Sequence, residues 1–326
     1  GHAGWANSRA LAEVDRDLAG DWQEEGGYIH RDEAGEPTGI FIDKAMDWVE
    51  RAVPPDAPEL MSRALDMATA AMVRQGLTGV HEAGTSLELV ELYRAKIAAD
   101  KLPVRIYAMA DGLNEALEWL CENGPYEHAS GLLTMRSVKL YADGALGSRG
   151  AVLKESYSDR ENHFGAMVTP LDTLIEIARR LSKSDFQMNT HAIGDSANAF
   201  VLKTYAKNLK SQTNRRWRIE HAQVVSPDDF LYFTEILPSI QPTHATSDMY
   251  WAEDRLGSDR IKGAYAFKEL LDINGRVVLG TDFPVEKVDP MLTFYAAVAR
   301  QDLSGFPEGG FQMQNGLSRE ETLKGM

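Results

Sequence analysis

The sequence predicts an α/β protein of the (β/α)8, TIM-like barrel type. Three observations predict it. Short apolar runs alternate with amphipathic helical stretches from residue 77 onward, the pattern of βαβ units and a parallel sheet. The later runs are spaced by about one barrel unit, roughly 31 residues if ~250 residues make eight units. Histidine, lysine and aspartate recur in or at the C-terminal ends of four runs, where parallel barrels carry their chemistry. An open doubly wound sheet is the alternative. No Gly-x-Gly-x-x-Gly follows the first run, which disfavours a dinucleotide-binding version.

Taken in order, residues 1–60 are mixed. Ala6 to Ala19 reads as a helix, Gly26-Gly27 and Glu36-Pro37-Thr38-Gly39 as turns, and Pro54-Pro55 and Pro58 as a break before a helix at 59–75. The apolar runs are Leu77–His81, Val104–Ala110, Ser137–Ala142, Phe186–His191, Trp217–His221, Pro238–Pro242 and Arg276–Gly280. Helical patterns over Leu87–Ala99, Leu113–Glu122, Leu171–Leu181 and Asn198–Leu209 lie between them. Seven strands leave a barrel one short, so the barrel is expected to be incomplete at its N-terminus. The chain opens on Gly1-His2-Ala3 and closes just after a capped helix start at Leu317-Ser318-Arg319-Glu320-Glu321. Both ends read as cut from something longer. Residues 1–60 are expected to be an insertion between the first and second barrel strands, and 61–326 the barrel from its second strand to the helix after the eighth.

The chain has 326 residues, 44% of them hydrophobic, and a net charge of −15. Such a surface repels phosphate backbones, so nucleic acid is excluded as a partner class. Cys121 is the only cysteine, which rules out an internal disulfide and a cysteine-rich zinc site. The single cysteine suits a reducing compartment, and the expected location is the cytoplasm. No apolar run reaches the 18 or so residues of a membrane span. A homo-oligomer is compatible with the composition.

The chemistry concentrates in four segments. Gln187-Met188-Asn189-Thr190-His191 and Arg218-Ile219-Glu220-His221 each end in histidine, Val277-Val278-Leu279-Gly280-Thr281-Asp282 ends in aspartate, and Val138-Lys139-Leu140-Tyr141 sets a lysine in an apolar strand. Each has a plain structural explanation: a hydrogen-bonded histidine, a helix cap, or a lysine that snorkels or pairs with Asp143. Together, at equivalent ends of four strands, they would converge on one mouth. Imidazole and carboxylate suit zinc and similar ions. A bound ion lowers the pKa of its water from 15.7 to about 7, and an aspartate beside that water can carry its proton to a leaving group. A buried lysine tends to lose its proton, and the neutral amine can then take up carbon dioxide as an anionic carbamate.

With these segments in place, the chain resembles the amidohydrolase superfamily, in the branch of YtcJ-like hydrolases that includes N-substituted formamide deformylases. The matching pieces, in order, are Gly1-His2-Ala3-Gly4-Trp5-Ala6-Asn7-Ser8, Gly35-Glu36-Pro37-Thr38-Gly39, Gly76-Leu77-Thr78-Gly79-Val80, Val138 through Arg149, Thr190-His191-Ala192-Ile193-Gly194-Asp195, Ile219-Glu220-His221-Ala222-Gln223 and Gly280-Thr281-Asp282-Phe283-Pro284-Val285. The resemblance implies a metal centre at the barrel mouth holding one or two divalent ions, zinc first, with iron, manganese or cobalt as alternatives. It makes Lys139 a carboxylated bridging ligand, His191 and His221 ligands, and Asp282 both ligand and proton shuttle. His2 and Asn7 fall in a segment placed near the substrate pocket. The family's first-strand His-x-His pair occurs nowhere in these 326 residues, and its small β domain is missing too.

Further residues carry weaker expectations. His81, Arg149 and His244 are candidate substrate contacts. His81 reads first as a hydrogen-bonded core histidine and Arg149 first as a structural partner of Asp143. Tyr250 and Trp251 line a pocket or pack on the rim. His30, His128 and His163 lie in polar loops and read as solvated. Glu220, next to His221, is expected to point out of the barrel by strand alternation. The leading function is hydrolysis of an amide or other non-peptide C–N bond of a small molecule. Ester or lactone hydrolysis at the same centre and a catalytically degenerate binding scaffold are the alternatives.

Overall fold

The computed structural model describes residues 1–210 and 213–326. All seven apolar runs become strands: β4 (Gly79–Thr85), β5 (Arg105–Asp111), β7 (Leu133–Tyr141), β8 (Gln187–Ala192), β9 (Arg218–His221), β10 (Leu237–Ile240) and β11 (Val278–Leu279). They pair side by side in the order β11-β10-β9-β8-β7-β5-β4, every neighbour parallel. A short β6 (Tyr126–Glu127) adds antiparallel to β7. The outer edges of β4 and β11 remain unpaired among the described residues, so the sheet is a curled half-barrel rather than a closed one. Residues of this sheet, such as Leu140, Met188, Ile219 and Ile240, are wholly buried, as befits parallel strands covered on both faces.

The helices wrap this sheet. They include α3 (Pro58–Arg74), α4 (Leu87–Ala98), α5 (Glu115–Asn123), α6 (Leu171–Leu181) and α7 (Asp195–Leu209), followed by α8 (Pro242–Asp248), α9 (Ala252–Arg260), α10 (Phe267–Asn274), α11 (Pro290–Ala299) and α12 (Arg319–Gly325). In α6 the buried set Leu174, Ile177, Ala178 and Leu181 forms one stripe against the sheet. Ser86, Asn114 and Asp289 cap their helices by accepting a backbone N–H, as short polar side chains do. No helix of the described residues is long and apolar enough to cross a membrane.

Residues 1–60 build a separate small layer. Strands β1 (Ala3–Trp5), β2 (Gly27–Arg31) and β3 (Pro37–Asp43) form an antiparallel sheet in the order β1-β3-β2, over a core of Leu18, Ile29, Phe41 and Ala45. The helix expected over Ala6–Ala19 shrinks to α1 (Ser8–Ala12). The last turn tightens, the Glu13 N–H donating to the Ala10 carbonyl at 3.2 Å, and beyond it Asp17 accepts the N–H of Ala19, a turn bond that competes with helix. A further short helix, α2 (Asp47–Glu50), leads towards α3.

Candidate metal centre

Register fixes which side chains look inward. Lys139 is level with Asn189 across β7 and β8, and Asn189 with Arg218 across β8 and β9. One pleat further on, Tyr141, His191 and Glu220 are level. Residues level in neighbouring strands share a face, so Glu220 faces inward with His191. That corrects the expectation from alternation. The reason is His221, whose φ of 77° takes it off the pleat and frees it from the period-two rule. Glu220 is buried and lies 2.8 Å from the Arg218 guanidinium. Arg218, also buried, reaches Asn189 at 3.1 Å and His81 Nδ1 at 3.1 Å.

Above this polar floor the expected residues meet. Lys139, His191, His221 and Asp282 line one cavity of about 460 Å³, together with His2 and His244. The imidazoles form an arc: ring centroids lie 4.7 Å apart for His2 and His191, 4.6 Å for His191 and His221, and 5.7 Å for His221 and His244. Nitrogen and oxygen donors of His221, His244 and Asp282 all lie within 4.8 Å of one another. Gln241 Oε1 sits 2.6 Å from His221 Nδ1, which leaves Nε2 to the cavity. His191 turns Nε2 towards the Gly144 carbonyl at 3.5 Å, which leaves Nδ1.

The electrostatics follow from burial. Desolvation lowers the Lys139 pKa to about 8, against the pull of the Glu220, Asp282 and Asp111 carboxylates. Its ammonium stands 3.4 Å from the Tyr141 ring centroid. Burial also depresses His221 and His244 to about 4 and holds His191 well below its ordinary value, so neutral imidazoles face the cavity at neutral pH. Burial raises the Asp282 carboxyl, opposed by His244 and Lys139.

Other expected residues fall elsewhere. Asn7 caps α1, accepting the Ala10 N–H at 2.9 Å, and does not line the cavity. Arg149 makes a two-pronged pair with Asp159, at 3.0 and 2.7 Å, also outside it. His81 packs with its ring centroid 4.7 Å from that of Tyr107 and lines a second space of about 770 Å³ between the edges of β4 and β11. Trp251 lines the histidine cavity, whereas Tyr250 stacks on Phe306. His163 is half-buried, its Nε2 2.8 Å from the Arg149 carbonyl, not solvated as its polar loop suggested. Asp143 does not pair with Lys139: its carboxylate accepts backbone N–H groups of Val152, Ile193 and Gly194, tying the loop after β7 to the turn after β8. Sequence reasoning also missed Gln241 and Asp43, the latter 2.7 Å from His2 Nδ1. The one available signal was Gln241's position at the end of the sixth apolar run.

A parallel α/β half-barrel that gathers lysine, imidazole and carboxylate at its strand ends defines the metal-dependent hydrolase class of barrels. The comparison with known proteins makes the assignment specific. Residues 1–326 match the amidohydrolase family, and the chain belongs to it. It is 35% identical to the Bacillus subtilis (strain 168) amidohydrolase candidate YtcJ over 314 residues, covering 92% of this chain and 57% of that protein. It is 27% identical to the N-substituted formamide deformylase of Arthrobacter pascens, covering 99% of this chain and 61% of that enzyme. An uncharacterized metal-dependent hydrolase from Pyrococcus horikoshii OT3 superposes with a TM-score of 0.78 at 26% identity, over 99% of this chain and 63% of that one. The chain thus spans less than two thirds of the length of these relatives.

Proposed function

We propose that this chain carries the metal centre of a hydrolase that cleaves an amide or another non-peptide C–N bond of a small molecule. The observation that carries the reading is the convergence of Lys139, His191, His221, His244 and Asp282 on one cavity. The donor set fits a divalent ion, zinc first and iron, manganese or cobalt next. His244 Nε2 supports the fit, being buried with no hydrogen-bond partner among the described residues, a costly state unless something accepts its lone pair. When bound, the ion supplies an activated water and polarises the carbonyl.

The chain's own residues would do the rest. His191 offers Nδ1 and His221 offers Nε2, each fixed by the partner on its other nitrogen, as ligating histidines usually are. Lys139, softened towards neutrality by burial, can attack carbon dioxide through Nζ. The Nζ lone pair forms an N–C bond as one C=O π bond of carbon dioxide opens onto oxygen, one N–H proton passes to solvent water, and the resulting anionic oxygen would face the cavity. Asp282 would take a proton from water on its carboxylate and pass it to the departing nitrogen. The cleft between β4 and β11 is the place for an eighth strand, with residues 1–60 inserted after the first. A second ion, a cytoplasmic location and self-association belong to the same proposal.

Elemental analysis of the purified protein beside Lys139→Ala tests the centre, and matched N-butylformamide and butyl formate test the bond. Bound metal that falls in the variant, with the formamide cleaved faster, is expected. Metal content unchanged in Lys139→Ala would remove Lys139 from the site. Faster cleavage of the formate would make the enzyme an esterase, and metal without turnover of either would indicate a binding scaffold.

A further inference from the structure

Asp43 belongs to the small sheet, yet its side chain ends at the barrel mouth. Strands β1 and β3 pair antiparallel with Ala3 level with Ile42, so His2 and Asp43 meet just beyond that pair. There the Asp43 N–H donates to the His2 carbonyl at 3.2 Å. Asp43 has a φ of 49° and a ψ of −127°, a backbone conformation that residues with a Cβ rarely adopt, and its side chain is 2% exposed. The loop that follows β7 is shaped around it. A Cβ added to Gly144 or to Gly150 would sit 2.1 Å from Asp43 Oδ2, so two glycines make room for this one carboxylate. Its Oδ1 is 2.7 Å from His2 Nδ1. The His2 ring packs 4.7 Å from that of His191 and lines the same cavity as Lys139, His221 and Asp282.

A carboxylate can only accept, so the bond to Asp43 places the His2 proton on Nδ1. With Nδ1 engaged by Asp43, Nε2 is the nitrogen left to the cavity. We infer that Asp43 is a positioning residue that holds His2 as an acceptor for a substrate N–H, so that the site selects amides whose nitrogen carries hydrogen over tertiary amides and esters. The inference rests on the hydrolase reading for the identity of the site and adds the substrate class. A site built to bond a substrate N–H discriminates strongly against analogues that lack it, because the buried acceptor is then left unpaired, at roughly 1–3 kcal/mol or about 5- to 150-fold.

The test uses histidine ¹⁵N resonances of the full chain without added metal, titrated with N-butylformamide and with N-butyl-N-methylformamide. The expected result is an Nδ1–H tautomer for His2, with Nε2 shifting for the secondary amide alone. Asp43→Ala should mix the tautomers and weaken secondary-amide binding at least about tenfold, leaving the tertiary amide untouched. Asp43→Asn, whose side-chain oxygen still accepts from Nδ1–H, should restore most of the preference. If Asp43→Ala does not fold, His2→Phe must lose the discrimination in the same titration. An Nε2–H tautomer, no response to either amide, an equal response to both, or a preference unchanged in the variants overturns the inference. Turnover tells the two readings apart. Equal cleavage of both amides defeats this inference alone, whereas selective binding without turnover defeats the hydrolase reading alone.

Discussion

His244 Nε2 stands 3.5 Å from Asp282 Oδ2, His244 from α8, which follows β10, and Asp282 from the segment that follows β11. No hydrogen bond joins them, so a buried nitrogen and a partly exposed carboxylate face a common space. A molecule bound in that space would lie beside the carboxylate, the geometry that a proton exchange with it requires.

Asp282→Asn is expected to reduce turnover of N-butylformamide by about 10²- to 10⁴-fold, the usual contribution of a positioned acid–base group. Folding stability should change little. Asp282 sits at a φ of 57°, which asparagine accepts as readily as aspartate, and its side chain is 36% exposed. Steady-state rates beside a thermal melt check both halves. Equal rates in parent and variant would refute the shuttle role.

Gln241 is the support of His221. Its carbonyl oxygen, 2.6 Å from Nδ1, fixes the ring and its tautomer. Gln241→Ala should weaken zinc binding by about 10- to 100-fold, the typical effect of losing such a partner. Competition with a chromogenic chelator measures it. An unchanged affinity would mean that packing alone holds the ring.

What could be read from the sequence divides along physical lines. Strands β4, β5 and β7 to β11 were legible because parallel strands buried on both faces are continuous apolar runs. His191, His221 and Asp282 were legible because they terminate those runs. The small sheet was not. Its strands are short and partly exposed, and β1 meets β3 only through a pairing between distant segments, Ala3 with Ile42. Glu220 was misread because alternation presumes regular β geometry, which His221 abandons with its positive φ. The role of Asp143 was hidden for another reason. Its partners are backbone N–H groups of Val152, Ile193 and Gly194, and backbone groups carry no sequence signature.

Buried charge under the site gives a stability prediction. Arg218 and Glu220 are 3% and 7% exposed and lie 2.8 Å apart. Glu220→Ala would leave the guanidinium buried without its counter-charge and should destabilise the protein by about 3–5 kcal/mol. Glu220→Gln keeps an acceptor and should lose less. Urea unfolding of the three proteins checks the order, and a loss below about 1 kcal/mol for the alanine variant would show that Arg218 finds water or another partner.

The depressed histidines set a pH dependence whose sign is fixed. His81, His221 and His244 have folded pKa values of about 4 against 6.5 when free, each mainly because burial disfavours the charged ring. The unfolded chain therefore binds protons first as pH falls. Stability is fully present above pH 6.5 and is lost progressively towards pH 4. Melting temperatures of the metal-free protein should decline steeply across that window. His81 lies apart from the histidine cavity, against Arg218, so His81→Leu tests the account without touching the proposed ligands. With one fewer proton-binding difference between the states, the variant should show a shallower decline from pH 6.5 to 4.5, whatever its baseline. A parallel decline would mean that His81 takes up its proton equally in the folded and unfolded states and contributes nothing to the slope.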